Sequence, residues 1–400
     1  MPPVEKASEL RMSKLHYVSP WLSAALLACS MATASHAAGH PPHRIKAVVD
    51  SALQPVIKQY AIPGMSVGLV VGGKPHFLNY GIASKTTRQP VSEDTLFELG
   101  SISKTFTATA ATYAQLNGRL SLVDKTRTYL PSLNNHPFGD VKLLSLGTHT
   151  TGGLPLQVPD SIRDEQQLMS YFQAWQPSCA QGTCRTYANP GIGTLGLITA
   201  KATGMDFVTL MEHHLFPALG LKNSYIRVSE AKLPLYAQGY TTTDEPVRMA
   251  TAVLSSEAYG IKSSATDLTR FMQANMQQVK IDQKLQQAIT DTHTGYFQAG
   301  GMIQGLIWEQ YPMPVSLDAL QRGNAADMIY NATPVTAIEP PQAPRTDVWI
   351  NKTGGTRGFG SYIAFIPQKQ LGIVILANRS YPNAARIDAA YRILSALVED

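Results

Sequence analysis

Cysteine, charge and long apolar runs are all scarce in this chain. Only three cysteines stand among 400 residues, too few for a fold held together by disulfides. Charged residues make up 15% and hydrophobic ones 44%, which excludes a disordered chain, a charged tail protein and a coiled coil. The 33 Lys+Arg against 28 Asp+Glu leave a formal charge of +5, with no dense basic run. Nucleic acid is therefore not an expected partner. The apolar stretch from Trp21 to Ala34 has 14 residues, short of the ~20 that span a bilayer. Length alone implies about two to three domains.

That stretch follows Arg11 and Lys14 and runs into Ser35-His36-Ala37-Ala38. Positive charge, a short apolar core and small residues before a cut predict a secretory signal peptide over 1–37. Cleavage after Ala37 would leave about 363 residues. The charged region before the core is long, so Met12 is an alternative start. Leu26-Leu27-Ala28-Cys29 offers a second reading, a lipoprotein signal lipidated on Cys29, and a buried helix is a third. Export would place the protein in an oxidising compartment. There Cys179 and Cys184 are expected to form a small-loop disulfide, with two free thiols as the alternative. Its effect would be local, stiffening the chain just before Tyr187.

Ile45, Val48, Val49, Leu53, Val56 and Ile57 have helical spacing. Ser66 to Val71 and Pro75 to Tyr80 read as strands around a Gly72-Gly73 turn. Strands return at Asp347 to Asn351, Ser361 to Ile366 and Leu371 to Asn378, and Ala384 to Leu397 closes as a helix. Strands at both ends with helices between predict an α/β protein. A discontinuous sheet domain (38–117 and 303–400) would be interrupted by a mainly helical one (118–302). Active groups would converge between them.

Three short motifs carry chemistry. Ser101-Ile102-Ser103-Lys104 precedes an Ala/Thr-rich helical run, so Ser101 falls at a helix N-terminus with Lys104 three residues on. An adjacent amine can take the proton that makes serine a nucleophile. Ordinary usage gives about one Ser-x-x-Lys by chance in this length, and Ser229-Glu230-Ala231-Lys232 is such a match. Tyr187-Ala188-Asn189 supplies a phenol whose ionised form two nearby lysines would favour. Tyr381-Pro382-Asn383 has the same pattern. Lys352-Thr353-Gly354-Gly355 lies on a presumed edge strand. It offers positive charge for a carboxylate and glycines that let a substrate approach. The Gly355 and Ser101 N–H groups could together form an oxyanion hole. Tyr187 follows Ser101 by 86 residues and Lys352 follows Tyr187 by 165. That order and spacing match penicillin-recognising serine acyl-transferases.

The resemblance then becomes specific. Phe97 to Ser101, His149 to Pro159, Gly358 to Pro367 and Leu376 to Asn383 closely resemble class C (AmpC-type) serine β-lactamases, and the likeness spans nearly all of the mature length. It implies the two-domain β-lactamase and penicillin-binding fold, an antiparallel sheet flanked by helices plus an all-helical domain. It also implies a two-step hydrolysis of β-lactams, cephalosporins above penicillins. Ser101 would be acylated, Lys104 and Tyr187 would shuttle protons, and Gln157 and Asn189 would hold the amide side chain. Lys352, Thr353 and Asn383 would hold the carboxylate with Arg386 nearby, and Tyr259 would line the pocket. The implied protein is a monomer acting on a small molecule in the periplasm, without stable membrane association, cofactor or metal. A D-alanyl-D-alanine peptidase or esterase of the same fold, and a penicillin sensor that acylates and stops, are the alternatives. The Cys179/Cys184 pair and Pro190-Gly191-Ile192-Gly193 depart from the usual pattern.

Other patterns have plainer readings. Gly191-Ile192-Gly193-Thr194-Leu195-Gly196 fits a dinucleotide fingerprint but follows no strand. His213 and His214 are adjacent in a helical stretch and point to different faces, so they are expected at the surface. Asn331, Asn351 and Asn378 head glycosylation sequons. A glycan on Asn351 would block the cleft beside Lys352, which favours a bacterial periplasm.

Overall fold

The computed structural model describes residues 42–398. The expected signal segment, with its alternatives at Met12 and Cys29, lies outside them. A nine-stranded antiparallel sheet runs in the order Thr336–Gln342, Gly295–Ala299, Met302–Gln304, Glu309–Pro312, Val348–Gly355, Gly360–Ile366, Leu371–Ala377, Gly64–Val71, Lys74–Gly81. Gly72 and Gly73 make the turn between the first two strands of the chain, with φ of 55° and 79°, where a side chain would be strained. Gln368 and Lys369 fall in the tight turn before Leu371, closed by Gln370 at φ 48°.

The central strands are buried almost throughout because both faces of the sheet are covered. Alternate residues sort cleanly to the two sides. Tyr362, Ala364, Ile366, Ile373 and Ile375 join one cluster with the helices Pro42–Gln59 and Asn383–Val398, through Val49, Leu53, Ile387 and Leu394. Ile363, Phe365, Val374 and Leu376 face the other way, against Phe106, Leu268, Phe271 and Trp308. Each such side chain contributes about 1.5–3 kcal/mol on burial.

The helix Ser103–Leu116 joins the sheet to the helical part of the molecule. Phe106 and Ala110 belong to the sheet-side cluster, and Ala108 and Ala111 to a third cluster with Leu146, Phe172, Ile192 and Leu195. Threonines are unusual in so buried a helix. Here their hydroxyls are satisfied by carbonyls: Thr105 donates to Ile102, Thr109 to Thr105, Thr107 to Glu257, and Thr112 to Ala288 among others. A buried, fully bonded helix is a rigid base for the residues at its start.

The sheet also takes in Gly295–Ala299, from the stretch expected to be mainly helical, and the helix Ala265–Asn275 packs on it through Leu268 and Phe271. The edge strand Thr336–Gln342 contains Pro340 and Pro341. Proline donates no ladder hydrogen bond, so it is tolerated at an edge, where the register is also broken between Ala337 and Gln342. Among the described residues no helix is long and apolar enough to cross a membrane.

Cys179 and Cys184 are joined as a disulfide. Protein purified without reductant should therefore titrate no free thiol at these positions, and two titratable thiols would contradict the bond. Opening so short a loop should lower stability by no more than about 2 kcal/mol in urea unfolding.

Candidate active site

The nucleophile candidate is held by a backbone conformation that only its neighbour can adopt easily. Gly100 has φ of 54°, and a Cβ there would lie 2.4 Å from the Gly355 nitrogen. Glycine thus lets the turn Gly100–Ile102 press against the end of the strand Val348–Gly355. The Ser361 hydroxyl donates to the Leu99 carbonyl at 2.7 Å and ties the turn to the next strand. Ser101 is left half-buried at the mouth of a cavity, immediately before the helix Ser103–Leu116.

Lys104 lies beneath it with no exposed surface. Its Nζ donates to Ser101 Oγ at 2.9 Å and to the Ala258 carbonyl at 3.0 Å. Burial pulls the Lys104 pKa down, Tyr187 opposes that, and Lys352 adds to it, leaving a value of about 8. Tyr187 is also buried, and its ring centroid lies 5.3 Å from Lys104 Nζ, 5.0 Å from Lys352 Nζ and 5.5 Å from Arg185 Cζ. Burial alone would push the phenol up, but the two lysine charges outweigh it and bring it down to about 8. Lysine and tyrosine are thus brought close in proton affinity, the condition for passing a proton between them.

Two charged residues of this cluster carry no motif in the sequence. Glu309 is buried between Arg185 and Lys352, with Oε1 at 3.3 Å from Arg185 Nη2 and 3.4 Å from Lys352 Nζ, and Oε2 accepts from Asn351 Nδ2 at 3.2 Å. Arg185 also donates to Gln304 Oε1 at 2.7 Å and to the Met328 carbonyl at 2.7 Å. Burial works against the Lys352 charge, but Glu309 prevails and holds its pKa above the usual lysine value. Three cations therefore face one carboxylate, an imbalance that favours the Tyr187 phenolate. Glu309→Gln would leave both cations without a counter-ion. We expect a loss of about 3–5 kcal/mol, read by urea unfolding.

Ser101, Tyr187, Lys352, Gln157, Asn189, Thr353, Gly355, Asn383 and Arg386 line one cavity of about 260 Å³. Tyr259 borders an adjoining space of about 490 Å³ that shares Ser101, Gln157, Asn189 and Gly355. Asn189 and Asn383 each begin a helix, Asn189–Thr203 and Asn383–Val398. Arg386 touches the cavity, but its terminal nitrogens donate to the carbonyls of Gly354, Ser361 and Tyr381. It braces the end of Val348–Gly355, which lies inside the sheet and not at the expected edge, against the last helix.

The remaining sequence patterns take structural places. Gly193 and Gly196 lie inside the helix Asn189–Thr203, where a Cβ would meet Leu254 at 2.7 Å and Glu257 at 2.8 Å. The glycines thus seat the segment that carries Ala258 and Tyr259. Asn351 and Asn378 are buried and hydrogen-bonded, leaving no room for a glycan. His213 and His214 are exposed.

Comparison with known proteins matches residues 49–398 to the family described as Beta-lactamase. A beta-lactamase from Pseudomonas fluorescens is 49% identical over 88% of this chain and 99% of its own length. The crystal structure of a beta-lactamase/D-alanine carboxypeptidase from Pseudomonas syringae superposes with a TM-score of 0.87 at 54% identity, covering 88% of this chain and 99% of that one. A class C beta-lactamase in complex with cefoxitin gives 0.87 at 49% identity, covering 89% and 99%. With nearly all of the described fold and nearly all of those relatives' lengths matched, this chain belongs to the beta-lactamase family, in its class C branch.

Proposed function

We propose that this protein hydrolyses β-lactam antibiotics through an acyl-enzyme on Ser101 and so confers resistance to them. The observation that carries the reading is the 2.9 Å contact of Lys104 Nζ with Ser101 Oγ at the mouth of the cavity, beside a phenol flanked by two ammonium groups. Ser101 Oγ attacks the lactam carbonyl as its proton passes to the Lys104–Tyr187 pair. The carbonyl oxygen takes charge against the N–H groups of Ser101 and Gly355. The proton returns to the departing lactam nitrogen. Water, deprotonated by the same pair, then attacks the ester and releases Ser101.

Lys352, Thr353 and Asn383 bind the substrate carboxylate, Gln157 and Asn189 its amide side chain, and Tyr259 walls the outer space. All of these belong to one chain, which fits a monomer acting in the periplasm after removal of residues 1–37. Cephalosporins are the favoured substrates. A second reading, D-alanyl-D-alanine carboxypeptidase, is favoured by the Pseudomonas syringae relative, whose name carries both activities.

The test is a time course of a chromogenic cephalosporin with the mature protein, beside a penicillin and a D-alanyl-D-alanine peptide. Many turnovers of the cephalosporin are expected, with a higher kcat/KM than for penicillin. A burst of one equivalent that then stalls would make the protein a penicillin-binding sensor. Faster cleavage of the peptide would make it a carboxypeptidase.

A further inference from the structure

Tyr187 sits in an irregular stretch, so something other than regular structure must aim its phenolic oxygen. The chain on both sides of it is held by a single residue. The Thr186 N–H donates to the His149 carbonyl at 2.9 Å, and the Ala188 N–H donates to His149 Nδ1 at 3.2 Å. The imidazole lies against the phenol, with ring centroids 4.4 Å apart and planes at 38°. His149 itself closes the helix Leu143–Thr148 in the left-handed region, at φ 62°. The template then continues: the Gly182 N–H donates to Thr150, that of Ser178 to Gly152 and that of Asn189 to Leu156.

We propose that His149 is the positioning residue for Tyr187, gripping the peptide groups on either side so that the phenol stays between the two lysines. The inference rests on the reading of Tyr187 as a proton carrier in β-lactam hydrolysis. The grip requires a neutral ring, because Nδ1 must accept a hydrogen bond, which leaves the proton on Nε2. The surroundings enforce that state. Burial first, then Arg185, Lys104 and Lys352, hold His149 well below the ordinary histidine range. The charged groups that face Tyr187 are Lys104 from the helix, Lys352 and Glu309 from two strands, and Arg185 from its own segment. A protonated His149 would lose its acceptor and add a further cation to this set.

Two substitutions separate aiming from packing. His149→Phe keeps the ring and loses the acceptor. His149→Asn loses the ring but can place an amide oxygen near the Nδ1 position. Kinetics on a chromogenic cephalosporin would be followed across pH 6 to 10, with thermal unfolding of each variant recorded. For His149→Phe we expect kcat to fall roughly 10- to 100-fold with little change in KM. A phenol that drifts from the lysines loses their stabilisation of its anion. Its pKa rises, and the rising limb of the kcat/KM profile moves to higher pH. His149→Asn should recover most of the rate and the parental limb.

Should His149→Phe not fold, His149→Gln takes its place, its amide reaching the Nε2 position instead, and the same losses are expected. Parental kcat and limb in the Phe or Gln variant would overturn the proposal. So would equal impairment of the Asn variant, which would mark His149 as a packing residue. A parent protein that shows no β-lactam turnover would instead remove the reading on which the proposal stands, an outcome distinct from either.

Discussion

Ser101→Ala should lose at least roughly 10³-fold in kcat on any β-lactam the parent turns over. The methyl group fits where the hydroxymethylene stood, so folding and cavity shape should hold. Binding should persist, because the proposed carboxylate and amide contacts come from other residues. A competitive displacement assay should therefore give a Kd within about tenfold of the parental value, since deleting one hydroxyl contact is worth only about 0.5–1.5 kcal/mol. Mass spectrometry after incubation with a slowly hydrolysed lactam should find the acyl adduct on the parent and none on the variant. Undiminished turnover by the variant would place the nucleophile elsewhere.

Lys104→Met should be nearly as damaging, by roughly 10²- to 10⁴-fold in kcat/KM, the range for loss of a positioned proton carrier. Methionine has a similar length and suits a site with no exposed surface. The variant also tests the electrostatics. Lys104 and Tyr187, each near pKa 8, titrate as a pair, and the competent state holds one proton between them. The parental kcat/KM should rise with pH as the pair loses its first proton and fall as it loses its second. In Lys104→Met a cation has gone from beside the phenol, so the neutral phenol is favoured and its pKa rises. Residual activity should then show a single rising limb, displaced to higher pH. A limb that stays in place would mean that the profile reports some group other than Tyr187.

The residues proposed to carry the chemistry can be read in the sequence where they lie close together in the chain. Ser101 with Lys104, Tyr187 with Asn189 and the Lys352 run are local patterns, and their order along the chain separated them from chance matches. Glu309 was not legible, because it stands alone in a strand and acquires meaning only when Arg185 and Lys352 arrive from elsewhere. His149 lay within a recognised segment, yet a sequence cannot show that its ring and carbonyl both serve Tyr187. The strands at the two ends of the chain were readable from β-branched runs and the Gly72-Gly73 turn. Thr336–Gln342 was hidden by its prolines, and Glu309–Pro312 by its brevity and polar residues.

The register of the sheet has a consequence for how the protein comes into being. Gly64–Val71 lies between Lys74–Gly81, made at once, and Leu371–Ala377, made almost last. The hydrogen bond from the Gly64 N–H to Asn378 Oδ1 spans 314 positions along the chain. A ribosome adding ~5–20 residues per second leaves that first hairpin with a bare edge for at least ~15 s. Until the closing strand arrives, its apolar faces and unpaired amides are open to any other extended chain. Such wiring delays the native sheet until synthesis is nearly complete, so the oldest hairpin of the sheet is also the one that waits longest for its neighbour.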